Sequence, residues 1–192
     1  MSVRERKERE RAHRHQLIVA TARELAEEQG WEAVTTRRLA ERIEYSQPVL
    51  YSHFRGKREI VGAVALQGFA ELTAAMRRAV ADSSGGRAAV SALAETYVGF
   101  AEGNPALYDA MFLLDTGLLF ADAATPAPLR EGFGALLDTL RDVAGDADPG
   151  LFVEVFWAAM HGLVALTRSG RLPEEGSAQR LDLLVDRFAG RP

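Results

Sequence analysis

The 192-residue chain has no cysteine, which excludes disulfides, thiolate metal sites and cysteine nucleophiles. Its four histidines include His13 and His15 in a polar N-terminal stretch and give no metal-ligand set at usable spacing. No uninterrupted apolar run reaches the ~18 residues that cross a bilayer. The opening residues, MSVRERKERERAHRH, are charged with no apolar stretch behind them, so they do not read as a secretory signal. A cytoplasmic protein without a membrane partner is expected. Phosphate loop, nucleophile elbow and metal motif are all missing, and the acidic pair Glu174 and Glu175 falls in a predicted loop. No catalytic activity, cofactor or metal is expected. Period-two alternation is also missing, while Ala, Leu, Glu and Arg dominate, so the predicted class is all-α.

Apolar residues make up 47% of the chain, enough for a substantial core. The net charge of −4 hides an asymmetry. Residues 1–58 carry 13 Lys and Arg against 9 Asp and Glu, whereas residues 59–192 carry 10 against 18. A basic first third on an acidic remainder suggests a polyanion-binding end and a separate body.

Residues 1–12 read as an arm or the loose start of the first helix. Over 11–29, Leu17, Ile18, Ala22, Leu25 and Ala26 recur on one helical face, and Gly30 supplies the stop. Thr35 caps a short second helix carrying Leu39, Ala40 and Ile43. Residues 44–46 are a break. A third short helix is predicted over 47–54, with Ser46 as cap and Pro48 in the first turn, where a missing N–H costs little. A long helix follows over 57–82. The SSGG at 83–86 is a turn. Further helices are predicted over 87–102, 104–114, 129–143, 151–168 and 177–188, about nine in total by periodicity.

Two short helices joined by a three-residue break, after a longer supporting helix, make a helix-turn-helix. The last helix of such a unit presents its N-terminal side chains to base edges in a major groove, while the helix before it crosses the backbone. Tyr45, Ser46, Gln47, Pro48, Tyr51 and His53 are the groups it would expose. Gln47 can pair with an adenine edge, and Pro48 and Val49 can touch a thymine methyl. Tyr51 and His53 can donate to phosphate oxygens. Thr36, Arg37 and Arg38 can do the same at the positive end of the second helix. Lys57, opening the fourth helix, is also placed to meet phosphate. Leu39, Ile43, Leu50 and Phe54 face the other way and hold the helices together.

The stretch TTRRLAERIEYSQPVLYSHFRGKREI (35–60) resembles the DNA-binding signature of the TetR family of transcriptional regulators. Thr36, Leu39, Ala40, Leu50, Tyr51, His53, Phe54 and Lys57 stand where the family pattern expects them. The resemblance implies that Thr36, Arg37, Gln47, Pro48, Tyr51, His53 and Lys57 contact double-stranded DNA. It also implies a repressor released from its operator when a ligand in the body favours the wrong separation of two reading heads. One departure is Glu44, where the family usually has glycine. A left-handed backbone there costs a glutamate roughly 1 kcal/mol and brings a negative charge near phosphate.

The body is less specific. NPALYDAMF (104–112) and WAAMHGLVAL (157–166) resemble the WHG-type C-terminal domains of that family, through Trp157, His161 and Gly162. The 151–166 stretch is apolar all round and must be covered on both sides. Phe152 and Leu163 there, with Leu181, Leu184, Val185 and Phe188 on the last helix, are the expected interface of a homodimeric four-helix bundle. A two-fold dimer suits a palindromic operator with half-sites about one helical turn apart. Tyr97, Phe100, Tyr108 and Met111, with Phe112, Phe120, Phe156, Met160 and His161, could wall a pocket for a small apolar or amphipathic effector; they equally describe a packed core. The expected organisation is a helix-turn-helix domain over 1–56 and a helical effector-binding and dimerisation domain over 57–192. A DNA-binding dimer without a small-molecule effector is the alternative.

Overall fold

Ser2 and Glu5 open the chain with a capping box. The Ser2 hydroxyl accepts from the Glu5 N–H at 3.2 Å, and the Glu5 carboxylate accepts from the Ser2 N–H at 2.9 Å. In this computed structural model, which describes residues 2–190, that box starts α1 (Val3–Gln29). Of the two expectations for this stretch, an arm or the loose start of the first helix, the second is the nearer: it is the capped start of α1. Arg4–Glu8, Arg6–Glu10 and Glu10–Arg14 pair at i,i+4 along it, although residues 2–13 are exposed on every side. The local alternation of charge that makes the segment look like a tail is what supports the helix. Burial begins at Ile18 and continues through Val19, Ala22, Leu25 and Ala26.

Gly30, at φ 78°, ends α1, and Trp31–Ala33 form one 3-10 turn. Thr35 caps α2 (Thr36–Arg42) by accepting from the Arg38 N–H at 3.2 Å. α3 (Gln47–Tyr51) is five residues long and ends before the predicted residue 54. The N–H groups of His53 and Phe54 both close on the Leu50 carbonyl at 2.9 Å, which tightens the last turn. There follow α4 (Lys57–Ala81), α5 (Gly86–Gly103), α6 (Pro105–Phe112), α7 (Ala127–Leu140), α8 (Pro149–Arg168) and α9 (Ser177–Ala189). All regular elements among the described residues are helical, as expected.

Two compact units result: Met1–Gly68 with Asn104–Pro126, and Phe69–Gly103 with Ala127–Pro192. The first therefore holds the 1–56 stretch together with the start of α4, α6 and the irregular segment after it. Its core includes Leu25, Val34, Leu39, Leu50, Ile60, Val64 and Leu107. α6 is tied to α1 at its N-terminus. Glu27 accepts from the N–H groups of Ala106 and Leu107 at 3.0 and 2.9 Å, Arg23 donates to Asn104 Oδ1 at 2.9 Å, and Trp31 Nε1–H donates to the Ala106 carbonyl at 2.7 Å. The carboxylate thus satisfies donors a helix start leaves unpaired and meets the positive end of its dipole.

In the second unit Leu93, Tyr97, Leu140, Val153, Phe156, Met160 and Val185 form the core. Phe188 packs edge-on against Phe152 and Phe156 at 5.1 and 5.0 Å, and Arg87 on α5 grips Asp182 and Asp186 on α9 at 2.6 Å each. α4 and α8 each contain an 18-residue window, with mean hydropathy 1.2 and 1.5, that is long and apolar enough to cross a membrane. These windows tolerate a few charges, so they coexist with the lack of an uninterrupted apolar run. Half of the α4 window (56%) lies inside the protein, but only 22% of the α8 window does.

Candidate nucleic-acid interface

The helix-turn-helix is assembled from its inner face. Leu39 on α2 and Leu50 on α3 are buried, and Phe54 closes the end of the unit. Residues 43–46 make the turn between them. The Tyr45 N–H reaches back to the Ala40 carbonyl at 3.0 Å, and the Glu44 N–H reaches Glu41 O at 3.4 Å. Glu44 has φ +58°, the left-handed conformation expected there.

The opposite face is polar and open. Ser46, Gln47 and Pro48 are exposed at the start of α3, Tyr51 is 53% exposed near its end, and Tyr45 is 38% exposed in the turn. The Thr36 and Tyr51 hydroxyls lie 3.4 Å apart, so the start of α2 and the end of α3 present their hydroxyls side by side. Arg37 is exposed beside them, its Nε on Glu41 at 2.9 Å. Arg38 points elsewhere: it donates to Gln29 Oε1 at 2.7 Å and to the Ala33 carbonyl at 3.3 Å. Lys57 is half-buried and donates to the Trp31 carbonyl, leaving the ammonium two further donors. His53 is half-buried, and its pKa is held below the ordinary histidine value by burial first, then by Arg11, His15 and Arg14 on α1.

One further group lies in the basic first third but is not among the residues expected at the interface. Arg6, Arg9, Glu10, His13 and Arg14 of α1 line an open cleft of about 520 Å³ together with Tyr45. Their helical spacing is visible in the sequence, but nothing local says that α1 runs beside the turn.

The residues expected to wall an effector pocket are divided between the units. Tyr108, Met111 and Phe112 are in the first; Tyr97, Phe100, Phe156, Met160 and His161 are in the second. Met111, Phe112 and Phe120 line a cleft of about 350 Å³ with Arg58, Leu114 and Leu118. Tyr97, Phe156 and Met160 are buried, and the Tyr97 hydroxyl accepts from Trp157 Nε1–H at 3.1 Å. Burial lowers the His161 pKa. Of the residues expected at a dimer interface, Leu181 and Val185 are buried within the chain's own second unit and Phe188 contacts Phe152 and Phe156. On α8 and α9 the large apolar side chains left exposed are Leu151, Val155, Leu166 and Leu183.

Comparison with known proteins places this geometry. Residues 18–64 match the family model for bacterial regulatory proteins of the tetR family, and residues 90–188 match that for the tetracyclin repressor-like C-terminal domain. The chain is 34% identical over 97 residues to the uncharacterized HTH-type transcriptional regulator YobS of Bacillus subtilis, a match spanning 50% of each protein. It is 32% identical over 149 residues to the class A tetracycline repressor protein from transposon 1721 of Escherichia coli, covering 69% of this chain and 68% of that one. A solved structure of a protein of unknown function from Rhodococcus sp. RHA1 superposes with a TM-score of 0.74 at 28% identity, over 91% of this chain and 92% of the other. With one family model spanning the three-helix head and a second spanning half of the chain, the protein belongs to the TetR family of bacterial regulators.

Proposed function

We propose that this protein is a cytoplasmic transcriptional repressor that binds a palindromic operator as a homodimer and is released by a small apolar or amphipathic ligand. One observation carries the DNA-binding part. α3 buries Leu50 and turns Gln47, Pro48 and Tyr51 outward, with Thr36 and Arg37 beside them. Gln47 reads a base edge, Pro48 lies against a thymine methyl, and Thr36, Arg37, Tyr51 and His53 hold phosphates. Lys57 serves the backbone with the donors that Trp31 leaves available. Arg38 is exposed but donates to Gln29 and Ala33 at the head's own surface, and it adds positive charge beside the phosphates.

The exposed stripe of α8 supports a second copy of the chain as partner. Leu151, Val155 and Leu166 recur at helical spacing on a helix whose other face is filled by Val153, Phe156, Met160 and Val164. An apolar stripe of this length on a soluble protein marks an interface, and pairing about a two-fold axis gives two heads for two half-sites. The effector follows the named repressor among the relatives. A ligand that binds one conformation of the dimer better than another lowers DNA affinity by that difference. A regulator without an effector is favoured by one observation: Tyr97, Phe156 and Met160, expected to wall a pocket, are buried, each 2% exposed or less. A thermal shift with a metabolite panel separates the two.

The test is selection of genomic fragments by the full chain and by Gln47→Ala. The wild type should enrich fragments carrying an inverted repeat, and the variant should change base preference at one symmetric position in each half. An unchanged profile would exclude readout by Gln47, and failure of the wild type to enrich any fragment would sink the function.

A further inference from the structure

We propose that the N-terminal extension of α1 is a second DNA-contacting element, in which Arg6, Arg9, His13 and Arg14 engage backbone phosphates beside the groove that α3 enters. This rests on the DNA-binding function proposed above and adds a site on a different helix.

The extension does nothing for the core. Residues 2–13 are exposed, and the first fully buried side chain is Ile18. Twelve helical residues before position 15 project about 18 Å of ordered helix, capped at its first turn and ion-paired along its length. Its side chains do not point at random. Positions 6, 9, 10, 13 and 14 meet Tyr45 across the 520 Å³ cleft. Tyr45 immediately precedes Ser46, the N-cap of α3, so the cleft opens at the end of α3 that faces base edges.

The charge in that cleft has one sign in excess. Three guanidiniums share it with a single carboxylate, and Glu10 lies between Arg6 at 3.8 Å and Arg14 at 3.6 Å. Both pairs are long and substantially exposed, so phosphate can compete for the guanidiniums. Planar guanidinium forks match phosphate oxygens in a way that carries no base information. Aromatic packing fixes the approach. His15 stacks on Phe54 at 4.6 Å and lies 6.3 Å from His53, which sets α1 alongside the far end of the recognition unit as well. The depressed His53 pKa, with Arg11 and Arg14 among its causes, reports the same proximity.

The experiment uses the full chain and duplexes recovered with the wild type, in two lengths: the bare inverted repeat and the repeat with flanking base pairs. Affinity is measured between 50 and 200 mM salt for wild type, R6Q/R9Q/R14Q, R6K/R9K/R14K and Glu10→Gln. Glutamine keeps helix propensity while removing charge. On the flanked duplex the glutamine variant should bind on the order of tenfold more weakly, with a slope of log K against log salt shallower by about 0.9 for each phosphate it no longer neutralises. Its base preference should not change. The lysine variant should recover the slope, and Glu10→Gln, which removes an anion and leaves every arginine, should bind more tightly than wild type. A glutamine variant and a Glu10→Gln variant both with wild-type affinity and slope would overturn the proposal, and Tyr51→Ala still weakening binding would show that the α3 function stands without it. Should the glutamine variant lose helix, Glu10→Gln decides alone. A wild type that binds no fragment overturns both.

Discussion

Replacing Glu44 with glycine should stabilise the protein. Glu44 sits at φ +58° in the turn between α2 and α3, where the Cβ of an L-residue crowds the following carbonyl at a cost of roughly 1–2 kcal/mol. Glycine removes that cost but gives the unfolded chain more freedom, which offsets about 0.4–1 kcal/mol. The net gain is about 0.5–1 kcal/mol, or about 1–4 °C in a chain of this size. Nothing is lost in exchange, because the side chain is exposed and the Glu44 N–H bond to Glu41 O belongs to the backbone. The assay is urea unfolding followed by tryptophan fluorescence in a Trp157→Phe background, so that Trp31, buried in the first unit, reports alone. Glu44→Ala is the control: it removes the charge and keeps the strain, so it should unfold at the wild-type midpoint or slightly below. Glycine and alanine variants with the same midpoint would refute the strain argument. A gain shared by both would assign the effect to charge.

Trp31→Phe keeps most of the buried ring but leaves the Ala106 carbonyl without its Nε1–H donor; a loss of about 1–3 kcal/mol is expected in urea unfolding followed by helical circular dichroism, and no loss would mean that water replaces the indole. Gly68→Ala would bring its new methyl within 2.7 Å of Met111 Sδ and 2.8 Å of Leu107 Cδ1; overpacking of this kind costs about 1–3 kcal/mol, read as a lowered midpoint. Val155→Glu should give a folded monomer by sedimentation, since Val155 is 60% exposed in a single chain; a persisting dimer would move the interface off this face of α8. For pH, the folded His53 and His161 pKa values lie below the ordinary one. The unfolded chain therefore takes up protons first as pH falls below about 6.5, and the stability these groups allow at neutral pH is lost as pH drops toward their folded values. His53→Gln should flatten that fall, whereas an unchanged profile would assign it to other groups.

The head is legible in the sequence because its signals are local. Thr35, Gly30 and Pro48 are terminator and cap residues that act within one turn, and the apolar spacing of Leu39 and Leu50 marks the buried side of two helices only a few residues apart. Glu44 is legible through the family resemblance, whose usual glycine at this position implies a left-handed residue, and the structure has φ +58° there. What escapes depends on neighbours distant in sequence. The attachment of α6 to α1 runs through Glu27, Arg23 and Trp31 to residues about 80 positions away, and no periodicity encodes it. Arg38 looks like Arg37, yet its long side chain turns back to Gln29 because α1 passes within reach. Leu181 and Val185 share a stripe with Phe188 that any partner helix could cover; Arg87, gripping Asp182 and Asp186, turns it toward the chain's own core. The start of α1 is legible only in part: composition leaves an arm and a helix start both open, and the capping box and charge pairs make it an ordered helix.

The central claim is that two copies of α3 read one duplex at a fixed separation. The most direct measurement takes a duplex carrying the selected inverted repeat and inserts about five base pairs, half a helical turn, between its halves. Sedimentation and titration of the full chain should find two chains on the parent duplex and an affinity lower by on the order of a hundredfold on the rephased one, as one half-site is left unread. One chain per duplex, or equal affinity for both, would contradict it.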